Sequence, residues 1–118
     1  MNTKINEVVD KPWGQYKNIY IDKDFAVKIL TIFPKNKISL QYHESRSEHW
    51  VVTNGVAHVI KGDQNLILKK NQYIFIGLKE VHRIENKQDN NLIIVEIQTG
   101  QKICENDIIR LDDVYGRI

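Results

Sequence analysis

Short runs of apolar and β-branched residues, broken at intervals by polar turn residues, organise most of the chain. Runs rich in Val, Ile, Tyr and Phe occupy positions 16–22, 25–33, 49–53, 56–61, 66–70, 73–77 and 92–99. Asp, Asn, Gly and Pro separate these runs at 22–24, 34–36, 54–55, 62–65 and 86–91. Short strands at such spacing predict an all-β sandwich or barrel. A helical turn or two is expected only in segment 104–116, because no longer window has a helical period.

Asn54 and Gly55 lie between two of these runs, and this dipeptide is the strongest short-range signal for a β-hairpin. A two-residue loop would pair Thr53 with Val56 and would continue the ladder along both strands. Side chains alternate between the faces of a strand. One face would then carry Glu48, Trp50, Val52, Ala57 and Val59, and the other His49, Val51, Thr53, Val56 and His58. This assignment makes His58 a structural residue, whereas a bulge at the strand start could re-aim His49.

Potential metal ligands concentrate just before this predicted hairpin. Gln41 and His43 are two residues apart and share a face if the segment is extended, and Glu48 follows on the inward face. Imidazole nitrogens, carboxylates and amide oxygens are ligands that transition metals accept. Another ligand must come from a different strand, and His82 is the best candidate because it enters the next strand after a polar turn. The pattern predicts an open, catalytic metal site at the mouth of a barrel.

Composition limits the partners and the compartment. The 118 residues suit one domain, over 1–118, and the 17 basic and 15 acidic residues leave a net charge of +2. Without a basic stripe, neither nucleic acid nor an anionic membrane is expected as a partner. Cys104 is the only cysteine, which excludes an internal disulfide and a cysteine-rich zinc site. No apolar run reaches the length of a signal peptide or a membrane span, so a cytoplasmic protein is expected.

The spacing of the candidate ligands resembles the two sequence motifs of the cupin superfamily. The first motif matches Gln41, His43, Glu48 and Gly55, with Gln in place of the usual first His. The second motif matches His82 and Asn86, while Asn71, Gly77 and Lys79 stand at its usual Gly and Pro positions. The resemblance implies an all-β, cupin-type double-stranded β-helix, which is a jelly-roll barrel. It also implies that Gln41, His43, Glu48 and His82 bind a divalent metal ion, zinc.

Longer stretches resemble one cupin family, the type II phosphomannose isomerase domain. These stretches are KPWGQY (11–16), SLQYHESRSEHWVVTNGVAHV (39–59), VHRIEN (81–86) and NDIIRLDDVYGR (106–117). That domain is usually the C-terminal part of a bifunctional mannose-1-phosphate guanylyltransferase/mannose-6-phosphate isomerase, an enzyme of carbohydrate metabolism and polysaccharide biosynthesis. The resemblance implies interconversion of mannose 6-phosphate and fructose 6-phosphate through an enediol, and a homodimer that pairs or exchanges N-terminal strands. No nucleotidyltransferase domain or Gly-rich nucleotide loop is expected in this chain.

The same resemblance implies roles for further residues. Glu44 and His49 are candidates for the catalytic base, which must move a proton between adjacent carbons. Arg46, Arg110 and Arg117 are candidates for binding the substrate phosphate, because a guanidinium matches its geometry. Trp13 and Trp50 could line the sugar pocket or belong to the core.

Two other functions stay open, and the first of them rests on a departure from the family. The family commonly has three successive His residues where this chain has His43, Glu44 and Ser45. A non-catalytic cupin that binds a sugar or a metal is therefore an alternative. A second alternative is an enzyme resembling the nucleotide-sugar epimerases of this fold, which would use a His base and no metal.

Overall fold

A computed structural model of the chain describes residues 5–101 and 103–118. The described residues form two antiparallel sheets and no helix. The strands are β1 (Val8–Lys11), β2 (Gly14–Ile21), β3 (Phe25–Ile32), β4 (Leu40–Tyr42), β5 (Arg46–Asn54), β6 (Ala57–Lys61), β7 (Gln64–Leu68), β8 (Tyr73–Ile76), β9 (His82–Glu85), β10 (Leu92–Gly100) and β11 (Ile109–Asp112). The all-β prediction is confirmed. The helical turn expected in 104–116 is wrong, because this segment contains β11, which pairs with β4.

The two sheets face each other across the core. The six-stranded sheet has the order β1-β2-β3-β10-β5-β8, and the five-stranded sheet has the order β11-β4-β9-β6-β7. Neighbours in the sheets are often distant in sequence, as in a jelly roll. Within the described part of the chain, no helix has the length and apolar character that crossing a membrane would require.

The hairpin predicted around Asn54 and Gly55 is wrong in its pairing. β5 lies in the six-stranded sheet between β10 and β8, whereas β6 lies in the other sheet between β7 and β9. Both edges of β5 are therefore occupied by strands from elsewhere in the chain, and the turn carries the chain from one sheet to the other. The predicted alternation of faces is correct, because it depends on the strand and not on its partner. Trp50, Val52 and Ala57 are buried, and His49 is exposed.

The inner face of the six-stranded sheet is apolar at one end and polar at the other. In β10 the inward residues change from Leu92 and Ile94 to Glu96 and Gln98, and all four are buried. The register places Glu96 opposite Trp50 and Gln98 opposite Glu48, so the change occurs at the same level in β5. Apolar side chains at the first end form the core of the fold. The polar end forms a cleft, which contains the candidate site.

Candidate metal centre and substrate cleft

Three of the predicted ligands converge within the barrel. His43 follows β4, Glu48 lies in β5 and His82 begins β9, and one potential ligand atom from each lies within 4.8 Å of the others. The Nε2 atom of His43 is 3.2 Å from Oε2 of Glu48, and Nε2 of His82 is 3.7 Å from Oε1 of the same carboxylate. All three side chains are buried. This set of two imidazoles and a carboxylate can hold a divalent transition metal and leave positions open.

Hydrogen bonds from the backbone orient both imidazoles for ligation. The Nδ1 atom of His43 is 2.6 Å from the carbonyl oxygen of Asp107, and Nδ1 of His82 is 2.8 Å from that of Glu80. Because a carbonyl only accepts, each Nδ1 carries a proton, and each Nε2 faces the centre of the group, where it is a ligand atom when it carries no proton. The buried Nε2 of His82 has no hydrogen-bond partner among the described residues. A metal ion would satisfy this atom, so the residues present fit a metal.

The charges of the group also suit a cation. Burial would raise the pKa of Glu48, but the hydrogen bond with His43 and the positive charges around it outweigh burial and hold the pKa well below its ordinary value. Burial lowers the pKa of His82, against the opposing charge of Glu48. The carboxylate is therefore anionic and His82 is neutral at neutral pH, which are the forms that bind metals.

Gln41 lies beside the group with its amide oriented away from ligation. Its Nε2 is 3.5 Å from Nε2 of His43, and its Oε1 accepts a hydrogen bond of 2.6 Å from Ser39. Ligation through oxygen requires the amide to turn over, which exchanges the positions of oxygen and nitrogen. Gln41 as the fourth ligand stays a prediction.

Arg46 is buried in contact with the group. Its Nε donates to Oε2 of Glu48 at 3.1 Å, and its Nη2 is 3.4 Å from Nε2 of His43. Its Nη1 donates to the carbonyl oxygen of Cys104. Arg46 therefore holds a positive charge at the inner end of the cleft, and its role in binding substrate stays a prediction.

A cleft of about 610 Å³, counted with the open space at its mouth, leads to the candidate ligands. Five cations line it: Lys11, Lys28, Arg46, Arg110 and Arg117. Lys28 is paired with Glu105 and Arg46 with Glu48, and the other three lie toward the edge strands. Burial, followed by the charge of Arg117, lowers the pKa of Arg110. Burial also lowers the pKa of Lys11; the charge of Glu105 opposes this shift, and the charges of Arg110 and Arg117 add to it. Asp113 accepts hydrogen bonds from Arg117 at 2.7 and 3.1 Å, whereas Nε of Arg110 is buried without a hydrogen-bond partner among the described residues. Such mutually repelling cations favour an anionic ligand.

The structure does not bring the predicted bases Glu44 and His49 to the ligand group. Glu44 is exposed, and its backbone N–H donates to Oδ1 of Asp107. His49 is exposed on the outer face of the six-stranded sheet, with its ring centroid 4.8 Å from that of Phe75. No bulge re-aims His49, because β5 runs in register opposite β10 at this point.

Sequence reasoning missed several groups in the cleft, including Lys28, Glu96 and Gln98. Nε1 of Trp50 donates to Oε1 of Glu48 at 3.2 Å and to Oε1 of Glu96 at 3.0 Å. Burial, reinforced by the charge of Glu48, raises the pKa of Glu96 to about 7. A signal was present in the sequence: Glu96 and Gln98 continue the alternation of Leu92 and Ile94 and so occupy inward positions of a strand.

Known proteins are similar in sequence to this chain over most of its length. The family model described as mannose-6-phosphate isomerase C-terminal matches residues 1–113. The xanthan biosynthesis protein XanB of Xanthomonas campestris is 42% identical over 109 residues, which are 92% of this chain and 23% of that protein. The mannose-1-phosphate guanylyltransferase RfbM of Salmonella typhimurium is 38% identical over 113 residues, 96% of this chain and 24% of that protein. The chain thus spans about a quarter of the length of these relatives.

Solved structures confirm the fold at low sequence identity. A Klebsiella pneumoniae protein with a double-stranded β-helix domain superposes with a TM-score of 0.70 at 17% identity, covering 92% of this chain and 88% of that one. The cupin domain of Schizosaccharomyces pombe Cnp3 gives a TM-score of 0.70 at 9% identity, covering 73% of this chain and 64% of that one. The predicted cupin-type double-stranded β-helix is confirmed.

Proposed function

Because the chain belongs to the family of mannose-6-phosphate isomerase C-terminal domains, we propose that it is a metal-dependent isomerase of mannose 6-phosphate and fructose 6-phosphate. The observation that carries this proposal is the convergence of His43, Glu48 and His82 at the inner end of a cleft. Bound there, a divalent metal such as zinc would polarise the carbonyl group of the sugar. The names of the relatives favour a role in polysaccharide biosynthesis.

The cations of the cleft support a phosphorylated substrate. Lys11, Arg110 and Arg117 face the same space, and Arg110 has a buried donor available. An arginine donates in a planar fork that matches phosphate oxygens. The phosphate would neutralise the repulsion among the three cations, and the sugar would extend toward the ligand group.

Glu96 is the carboxyl group whose position best suits proton transfer between adjacent carbons. It lines the cleft, it is buried, and its oxygens are held by Trp50 and Gln98 at 3.0 and 2.8 Å. A base that is held in place beside the metal site is already positioned to accept a carbon-bound proton from the substrate. This assignment replaces Glu44 and His49 in the proposal.

The test is elemental analysis of the purified chain combined with an isomerase assay. We expect one divalent metal per chain, conversion of mannose 6-phosphate to fructose 6-phosphate, and loss of activity in a chelator. His82→Gln should lose the metal and the activity. His58→Gln is the matched control, since His58 lies on β6 with its side chain on the outer face, and it should keep both.

Two other outcomes would contradict the proposal. Metal bound at the site together with saturable binding of mannose 6-phosphate, but without product, would make the protein a non-catalytic sugar-binding cupin. A metal-free protein with full activity that survives His82→Gln would instead favour an epimerase-like enzyme.

We also infer that the protein is a homodimer through its N-terminal strand. Among the described residues β1 pairs with β2 alone, and its other edge is free. A free strand edge is available for pairing with a second copy.

A further inference from the structure

Gln98 places an amide in the wall of the cleft with one polar atom unused. The side chain lines the cleft and is 1% exposed. Its Nε2 donates a hydrogen bond of 2.8 Å to Oε2 of Glu96. Its Oε1 is buried and has no hydrogen-bond partner among the described residues. A buried acceptor is stabilised when it is paired, so this oxygen favours a ligand that can donate to it.

The neighbours of Gln98 fix both its orientation and its place. Because a carboxylate accepts hydrogen bonds, the contact with Glu96 holds the amide nitrogen and turns the oxygen away from it. Gln98 lies directly opposite the ligand Glu48 in the β10–β5 ladder, and opposite neighbours in a ladder have Cβ atoms about 5 Å apart. Gln98 is therefore beside the metal group. The cations Lys11 and Arg110 come from β1 and β11, which are edge strands of the two sheets, and Arg117 lies in the C-terminal segment after β11. Arg110 lies opposite Gln41 in the β11–β4 ladder.

The chemistry of an acceptor selects the part of the ligand that it meets. The oxygens of a phosphate dianion accept hydrogen bonds and are repelled by a carbonyl oxygen, whereas each hydroxyl group of a sugar can donate one. These two preferences orient the ligand in the cleft: its phosphate lies among Lys11, Arg110 and Arg117, and one of its hydroxyl groups lies at the oxygen of Gln98.

We propose that Gln98 is a specificity-determining residue that accepts a hydrogen bond from a hydroxyl group of the sugar. The inference rests on the proposed function only in taking a sugar phosphate as the ligand. It extends that function by naming a residue that recognises the sugar. The role inferred for Gln98 belongs to its amide oxygen, whereas its amide nitrogen holds the carboxyl group of Glu96.

The experiment measures affinity by calorimetry for mannose 6-phosphate and for inorganic phosphate in wild type and in Gln98→Met. Methionine keeps the length of the side chain and removes both polar atoms of the amide, the acceptor Oε1 and the Nε2 that donates to Glu96. Deoxy analogues of the sugar phosphate separate these two effects. The loss of one neutral hydrogen bond should lower the affinity for mannose 6-phosphate about tenfold. The affinity for inorganic phosphate and the metal content should be unchanged. Should the Met variant fail to fold, Gln98→Asn withdraws the amide by one methylene and is expected to give the same result.

Asn18 provides the matched control. It is also a buried amide, neither of its side-chain polar atoms has a partner among the described residues, and it does not line the cleft. Asn18→Leu should therefore leave the affinity for mannose 6-phosphate unchanged. An equal loss in both variants would overturn the proposal, because the effect would then come from a general change in the barrel.

Deoxy analogues of mannose 6-phosphate identify the hydroxyl group. For wild type, the analogue that lacks the contacted hydroxyl group should bind about tenfold more weakly than mannose 6-phosphate. For Gln98→Met, this analogue and mannose 6-phosphate should bind with the same affinity. Equal costs in both proteins at every hydroxyl position would overturn the proposal. Failure of this proposal is distinguishable from failure of the proposed function. If the missing hydroxyl group weakens binding only in wild type but no product forms, the isomerase is rejected and the role of Gln98 stands. If product forms but the missing hydroxyl group has the same effect in both proteins, the role of Gln98 is rejected.

Discussion

Glu96 is buried and held by two hydrogen bonds, and the indole N–H of Trp50 donates both to Glu96 and to the candidate ligand Glu48. If it transfers the proton, Glu96→Gln removes the base and keeps the size of the side chain and an acceptor for Trp50. We expect kcat to fall by about 10²- to 10⁴-fold while KM and the metal content stay close to wild type. Steady-state kinetics with elemental analysis checks this.

Glu85→Gln is the control for that substitution. Glu85 belongs to β9, and it lines a cavity on the other side of the five-stranded sheet together with His58 and Lys87. Its removal should leave kcat unchanged. A Glu96→Gln enzyme with wild-type kcat would show that another group carries the proton.

A second residue, Asp113, makes stability depend on pH. The hydrogen bond from Arg117 lowers the pKa of Asp113 to about 2 from its ordinary 3.8, against the opposing effect of burial. The folded state thus holds the proton more weakly than the unfolded state, so the stabilisation is present above about pH 4 and is lost as the pH falls toward 2. Urea unfolding should show wild type about 1–2 kcal/mol more stable than Asp113→Asn at pH 6, with the difference shrinking below pH 4.

Arg117→Gln tests the cause of that pH dependence. Without the guanidinium, the pKa of Asp113 should return toward its ordinary value, and the slope of stability between pH 4 and pH 2 should become shallower. A difference between wild type and Asp113→Asn that stays constant down to pH 2 would contradict the prediction.

At the scale of elements, the turn between β5 and β6 depends on a glycine. Gly55 has a φ of 92°, and a Cβ atom at this position would lie 2.9 Å from Nε2 of Gln88 and 3.2 Å from the carbonyl oxygen of Asn91. An L side chain there is strained by the backbone and crowded by the loop. We expect Gly55→Ala to lower the free energy of unfolding by about 1–3 kcal/mol, measured by urea titration.

Gly77→Ala is the matched control for Gly55→Ala. A Cβ atom there would meet only Cε2 of Phe75 at 3.7 Å and Oε1 of Glu80 at 3.8 Å, which are ordinary contacts. Gly77→Ala should change stability by less than about 1 kcal/mol. Equal costs at the two glycines would mean that neither φ nor crowding explains Gly55.

The same turn shows how far the sequence predicts elements. Alternation within β5 is a local property, so it correctly identified the inward side chains there, including the candidate ligand Glu48. The same alternation continues in β10, where it was not applied. Strand partners are a property of the whole chain: β5 pairs with β8 and β10, and the local Asn-Gly signal could not reveal that. The spacing of His43 and Glu48 predicted that they could share a metal site, because the two residues are close in sequence, His43 directly after β4 and Glu48 in β5. Lys11 was missed because it reaches the cleft from β1, an edge strand that only the fold brings near the site.

At the scale of the whole molecule, the free edge of β1 bears on the oligomeric state. Val8 is 48% exposed in this strand, and unpaired N–H and C=O groups on an edge favour pairing with another chain. We expect light scattering at micromolar concentration to give a mass about twice the 13.9 kDa of one chain. A mass of one chain at that concentration would end this expectation.

Two lysine substitutions distinguish β1 from the other exposed edges. A charged side chain on an edge strand opposes pairing, and Lys serves this purpose in natural sheets. Val8→Lys should shift the dimer toward monomer without unfolding the domain, because Val8 already faces solvent in part. Ile67 is 58% exposed on β7, the edge of the five-stranded sheet, and Ile67→Lys should leave the dimer intact. The reverse result would place the dimer contact on the five-stranded sheet. The opposite edge of that sheet is β11, which supplies Arg110 to the cleft. Assembly and substrate binding would then share one sheet.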